Sequence, residues 1–350
     1  MNNSQVLPSS LDKLAQLRSL PETPYKQRAA PDPRIAIQKR ARSKLITQSI
    51  ILAIINSNPD SKLIKSYWNT YHCSNRIYYD GTKKTVKYCK NRFCMTCSRV
   101  KTARMINKYL PIIETYENPV FVTLTIPNVK GEHLRATIDS MQKCFYSIIN
   151  LRSNRKIMRG IRKLECTYNP IRYDFHPHFH VLIDGMDNAL RLQQLWLDKN
   201  PTAVQDAQDI EVADTNSMKE LFKYLTKINI SLKKDDRRLY PKALDTIFQA
   251  FHNKRTISGF GNPKTKDVAE NYETLNDEFV LRRRALWEWE REYFDWIDYE
   301  TGELLSGYIP DSNALEIIDR INNPYKYERY KKDVGEIAPN KKKVIVKYRS

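Results

Sequence analysis

Three of the chain's six histidines fall in the run His176-Pro177-His178-Phe179-His180, which passes directly into Val181-Leu182-Ile183. The apolar, β-branched tail predicts a strand over Phe179 to Ile183. Alternate side chains of a strand share a face, so His178 and His180 project side by side from one surface. Two imidazoles at that spacing can hold one metal ion. The run therefore fixes a strand, its register and a candidate chemistry together.

Two other segments can be read beside it. Lys163 to Tyr168 has strand character and carries Glu165. A hairpin-like connection over Asn169 to Phe175 would set this strand against the histidines, and Glu165 could then add an oxygen ligand. Two imidazoles and one carboxylate leave positions open for substrate and water, and accept Mn²⁺ or Mg²⁺. The ordinary alternative for Glu165 is a salt-bridged acid. The second segment, Ser217 to Ile228, has helical spacing. There Glu220 and Tyr224 are one turn apart, and Lys227 lies three residues on. On spacing alone these three are an ordinary solvated face over buried Leu221, Phe222 and Leu225. His176 shares parity with the other two histidines, but Pro177 disturbs the strand, so a supporting or DNA-contact role is expected of it.

Cys73, Cys89, Cys94 and Cys97 form C-x15-C-x4-C-x2-C. Two close thiols plus two upstream can wrap a tetrahedral Zn²⁺, with a hairpin turn at Tyr79 to Thr82 between them. No charged leader with an apolar core begins the chain, so a cytoplasmic location is expected, where disulfides are disfavoured. His72 is a weaker alternative ligand. Cys144 and Cys166 lack metal spacing and read as small core residues.

The remaining pattern suggests an α+β fold, with strands in one mainly antiparallel sheet. Residues 1–33 read as a flexible, proline-dotted arm and 34–70 as a basic helical segment. Residues 71–110 read as the cysteine module, 118–262 as the main domain and 268–350 as a helical extension with a basic tail. The stretch Leu281 to Trp296 is taken as helix-like. The run around Leu45 to Ile55 is too short to span a bilayer. Lys and Arg outnumber Asp and Glu by 59 to 40, a formal charge of +19 that attracts polyanions, nucleic acid first. With 21 tyrosines among these bases, stacking on single-stranded DNA is favoured over a merely solvated surface. Lys101 and Arg104, after the cysteines, are candidate DNA contacts.

Taken in order, Phe121-Val122-Thr123-Leu124-Thr125, Glu165-Cys166-Thr167-Tyr168-Asn169, the histidine run, and Glu220 with Tyr224 and Lys227 resemble the rolling-circle plasmid replication initiators. The closer likeness is to the Rep branch of the HUH endonuclease superfamily that carries a zinc-ribbon-like cysteine cluster. The resemblance covers roughly residues 70 to 260. It includes His252 to Gly259, in which Lys254 and Arg255 would contact DNA. It implies a sheet of about five antiparallel strands with helices against it, the histidines being central. It further implies that His178, His180 and Glu165 bind the metal, that Tyr224 is the nucleophile and that Lys227 neutralises phosphate. Glu220 stands where one branch places a carboxylate instead of a second tyrosine. The implied partners are single-stranded or hairpin origin DNA, with a host helicase and polymerase; a homo-oligomer stays open, and no membrane is expected. The chain has no G-x-x-x-x-G-K-[ST] phosphate loop. Two other readings stay open: a single-tyrosine HUH transposase, and a non-catalytic zinc-containing DNA-binding regulator.

Overall fold

The computed structural model describes residues 33–81, 84–214, 221–222, 239–262 and 284–323. The expected N-terminal arm, the basic tail and most of the Ser217–Ile228 helix lie outside them.

The central element is a five-stranded antiparallel sheet. Its strands are β3 (Pro119–Thr125), β4 (Gly160–Asn169), β5 (Asp174–Asp184), β6 (Asp209–Val212) and β7 (Ile257–Phe260). They lie in the order β6-β3-β5-β4-β7, so the histidine strand β5 is central, as expected. Strand alternation divides the sheet into two unlike faces. Val120, Val122, Leu124, Leu164, Phe179, Val181 and Ile183 point into the main core. That core is closed by α4 (Gly131–Ile149), α5 (Met186–Lys199) and α6 (Pro241–Phe251). Trp196 of α5 is fully buried there and donates its indole N–H to the Thr125 carbonyl at 3.0 Å. The opposite face is apolar only at one end. Phe121, Ile161 and Leu182 pack with Tyr109, Ile112 and Ile113 of α3 (Met95–Ile113), and with Tyr116, Leu221 and Phe222. Farther along this face the apolar residues give way to Lys163, Glu165, His178 and His180.

The strand β5 begins five residues before the expected Phe179 and runs through Pro177. The last β3–β5 pair is Thr125↔His178 and the next contact on that side is the isolated Val129↔Phe175 bridge, so Pro177 falls in the gap between them. A gap in the ladder tolerates a residue that has no N–H to donate. His176 consequently shares the face of His178 and His180.

A second sheet has the order β2-β1-β8-β9. It joins β1 (Arg76–Tyr79) and β2 (Lys84–Val86) to β8 (Ala285–Glu290) and β9 (Asp295–Asp298). The helical reading of Leu281 to Trp296 is therefore corrected to a β-hairpin over Ala285 to Asp298. Ala285, Trp287 and Trp289 alternate with less buried Leu286, Glu288 and Glu290, which is a period of two rather than 3.6. Trp296 is fully buried and donates to the Ser74 carbonyl at 2.7 Å. The extension is helical only at α7 (Ser312–Asn322) among the described residues.

The 25-residue α1 (Pro33–Ser57) connects the two sheets, and α2 (Ile64–Tyr71) follows it. Ile37, Ala41 and Leu45 pack on the smaller sheet, while Ile46, Ile50, Ile51 and Ile54 enter the main core. Its buried hydroxyls bond back along the helix, as Thr47 does to the Ser43 carbonyl at 2.6 Å. No helix among the described residues is long and apolar enough to cross a membrane.

Candidate metal centre

The antiparallel β4–β5 hairpin sets Glu165 directly opposite His178, and Lys163 opposite His180. One carboxylate oxygen, Oε2 of Glu165, lies 3.5 Å from Nε2 of His178 and 3.4 Å from Nε2 of His180. These three ligand atoms lie within 4.8 Å of one another. An octahedral cation with bonds of about 2.1 Å needs donors roughly 3 to 4.2 Å apart, so the set fits such an ion.

Both imidazoles are steered from behind. His180 Nδ1 hydrogen-bonds with Thr123 Oγ1 at 3.2 Å, and its ring stacks on Phe121 with centroids 5.2 Å apart. His178 Nδ1 lies 3.1 Å from the His176 carbonyl oxygen. Such hydrogen bonds at one ring nitrogen leave the other to face a metal. His176 has its ring 5.3 Å from that of His178, and its buried Nε2 has no hydrogen-bond partner among the described residues. Burial, first, and the neighbouring His178 push its pKa below the ordinary histidine value.

One member of the site was not anticipated. Lys163 is 3% exposed, and its ammonium forms an ion pair with Oε1 of Glu165. The carboxylate is thus divided, with one oxygen on the lysine and the other facing the imidazoles. Burial alone would raise the Glu165 pKa. Hydrogen bonds from His178 and His180, with the Lys163 charge, outweigh it and hold the carboxyl well below the usual range. The available signal was parity, since Lys163 is two residues from Glu165 on one strand. A lysine beside a strand reads as surface by default.

The four cysteines also converge, with their sulfurs within 4.8 Å of one another. Cys73 and Cys97 sulfurs are 3.5 Å apart, and those of Cys89 and Cys97 are 3.6 Å apart. Four ligands at about 2.3 Å around zinc would have tetrahedral edges near 3.8 Å. Backbone amides donate to two of the sulfurs, Cys89 N to Cys73 Sγ and Asn91 N to Cys89 Sγ, both at 3.4 Å. The donor set therefore fits zinc. Crowding splits the thiols: hydrogen bonds from Cys73, Cys94 and Cys97 hold Cys89 far below the usual thiol range. Hydrogen bonding with Cys73 and Cys89, and burial, push Cys94 and Cys97 up. Lys44 bonds the Cys73 carbonyl and Asn75 Oδ1, both at 2.6 Å. Burial lowers its pKa to about 8, against the opposing pull of the cysteines. His72 stands outside this cluster, exposed, with Nδ1 3.2 Å from Asn75 Nδ2.

Tyr224, Glu220 and Lys227 lie outside the described residues. Their neighbours Leu221 and Phe222 do not: both are buried, in the apolar cluster that contains Phe121, on the face of the sheet that carries Glu165, His178 and His180. Among the expected DNA contacts, Lys101 and Arg255 are exposed and Arg104 is half-buried. Lys254 is ion-paired with Asp139.

The profile of a family described as "Replication protein" matches residues 82–188, a span that holds Glu165, His178 and His180. Several curated proteins, each called "Protein rep", are similar to the chain. One from Staphylococcus aureus is 33% identical over 151 residues, covering 38% of this chain and 66% of the relative. One from Bacillus sp is 33% identical over 205 residues, covering 56% and 66%. One from Lentilactobacillus hilgardii is 23% identical over 250 residues, covering 60% and 79%. The matches thus span 66% of the length of each of the first two relatives. No solved structure is significantly similar to the chain.

Proposed function

Because the chain belongs to the Rep family of rolling-circle plasmid replication proteins, we propose that it initiates replication by nicking one strand of a plasmid origin through a tyrosyl–DNA link. The observation that carries this reading is the convergence of Glu165, His178 and His180 on one face of adjacent strands. Mn²⁺ or Mg²⁺ held by these three would draw charge from the oxygens of a scissile phosphodiester and align it.

The protein's own residues supply the rest. The Tyr224 phenol, once it has lost its proton, attacks phosphorus. The new Oη–P bond forms as the P–O3′ bond breaks, and the released 3′ oxygen takes up a proton and primes a polymerase. The 5′ phosphate stays on the protein, so the bond energy is kept for a later strand transfer. A phenol with a reference pKa near about 10 needs positive charge nearby to react at neutral pH, and Lys227 provides it. Glu220 activates water for the hydrolytic step that ends the cycle. The burial of Leu221 and Phe222 against the metal-bearing face supports bringing Tyr224 to that face. His176, Lys101, Arg104, Lys254 and Arg255 contact the DNA, and zinc on the four cysteines holds the basic module folded. A host helicase opens the origin.

The test uses the full chain, a single-stranded origin oligonucleotide and Mn²⁺, read as a covalent adduct on a denaturing gel. Tyr224→Phe abolishes the adduct, whereas Glu220→Gln leaves nicking and impairs termination. An adduct that persists in Tyr224→Phe overturns the choice of nucleophile.

A further inference from the structure

The chain has five tryptophans. Four are core residues: Trp196, Trp287, Trp289 and Trp296 are at most 7% exposed. Trp68, on the outer side of α2, is 42% exposed. Its ring stacks on exposed His72, with centroids 6.2 Å apart and planes 25° apart, and meets Tyr71 edge-on at 5.7 Å. Tyr71 in turn meets His72 edge-on at 5.1 Å. Trp68 and His72 thus form an exposed aromatic pair at the end of a short helix, backed by Tyr71, which is half-buried against the main core.

The helix beneath it is held rigidly. Tyr67 donates to buried Asp245 at 2.6 Å. Asn91, from the cysteine module, donates to the Ser66 carbonyl at 3.0 Å and to Thr70 Oγ1 at 2.8 Å. Gln48 donates to the Tyr71 carbonyl at 3.1 Å, and Asn75 fixes His72. The helix itself is cationic. From Ser61 to Tyr71 the chain has no carboxylate, and it carries the exposed Lys62 and Lys65. Lys65, Trp68 and His72 lie at i, i+3 and i+7, all exposed, so an ammonium sits on the same stripe as the rings.

We propose that Trp68, with Tyr71 and His72, is a stacking platform for an unpaired DNA base, with Lys62 and Lys65 at the adjoining phosphates. A flat aromatic on a rigid support accepts any unstacked base, and flanking cations follow the backbone. A duplex offers no free base face, so the platform distinguishes single strands from double strands. An apolar protein partner would gain little from rings flanked by Lys65 and Asn69. The proposal rests on the reading that this chain works on unpaired DNA, and it assigns a contact that the metal centre does not supply.

The tryptophan fluorescence of the full chain, without added divalent ion, is titrated with a run of about sixteen thymidines and with a duplex of equal length. Single strand is expected to quench the emission, and the duplex is not. Trp68→Ala removes the quenching and, read by the anisotropy of fluorescein-labelled DNA, weakens single-strand binding about tenfold, with duplex affinity changed less than about twofold. Trp68→Phe keeps the affinity. Should Trp68→Ala fail to fold, Trp68→Leu keeps the bulk without the π face and is expected to lose the same affinity. Unchanged single-strand affinity in the Ala or Leu variant, or equal loss for both DNA forms, overturns the platform. If the wild type still forms the Tyr224 adduct in that case, the nicking reading stands without it. If the wild type neither binds the single strand nor forms the adduct, both fall.

Discussion

The cysteine cluster and the Glu165–His178–His180 centre are both sets of converging donors, yet they are built for opposite ends. The cysteines come from loop and helix-start positions within residues 73–97, and their four sulfurs close around one point. Three of the four are buried. The second centre hangs from two adjacent strands of a rigid sheet and, among the described residues, supplies three ligand atoms, so a substrate oxygen or water can complete it. A closed tetrahedral set fits structure, and an open one fits catalysis. The supports differ in the same way. Lys44 beneath the cysteines bonds to backbone and amide oxygens, whereas Lys163 grips a ligand itself.

The largest effect should separate the two centres by stability. Structural zinc ties about 10 kcal/mol or more of free energy to folding. Chelation, or Cys94→Ser, is therefore expected to melt the module around residues 73–97 and to lower the calorimetric midpoint. Purified protein with no bound zinc, indifferent to chelator, breaks the contrast.

Glu165→Gln should cost the metal-free protein about 3 kcal/mol, because it leaves the buried Lys163 ammonium without its counter-charge. The sign with pH follows from the direction of the shift. The folded carboxyl titrates far below the unfolded value of about 4.3. Its stabilising contribution is complete above that value and is lost as pH falls through the folded pKa. Urea midpoints should thus show a constant gap between wild type and variant from neutral pH down to about pH 5, closing only in stronger acid. A gap that closes near neutrality means that the carboxylate is not held as described.

A smaller effect belongs to Lys163→Met, which frees Glu165 to turn. Loss of a group that orients a ligand typically weakens metal binding about 10- to 100-fold. Mn²⁺ titration followed by electron paramagnetic resonance measures it without any turnover. An unchanged affinity would mean that the imidazoles alone orient the carboxylate.

Much of this was legible from the residues. Parity on one strand paired His178 with His180, and the short connection after Asn169 delivered Glu165 to them, since hairpin neighbours are set by local sequence. The four cysteines were equally plain from spacing. The misreadings have physical causes. Pro177 disturbs a strand through its missing N–H, but it falls between the Thr125↔His178 pair and the Val129↔Phe175 bridge, where no ladder bond on that side needs one. Leu281 to Trp296 reads as a helix by composition, and its true partner is β1, with Ile77 opposite Trp287. No local pattern encodes a pairing over such a distance. Lys163 was passed over because the cost of burying an ammonium is offset only by a neighbour identified after folding.

The pairing of β1 with β8 also sets a timetable. Residue 287 leaves the ribosome roughly 10 to 40 s after residue 77, at about 5–20 residues per second. For that interval the hairpin beside the cysteines exposes an unpaired edge, a template for any passing strand. Synthesis speed, and whatever shields that edge meanwhile, would then govern how much of the newborn protein matures and how much aggregates.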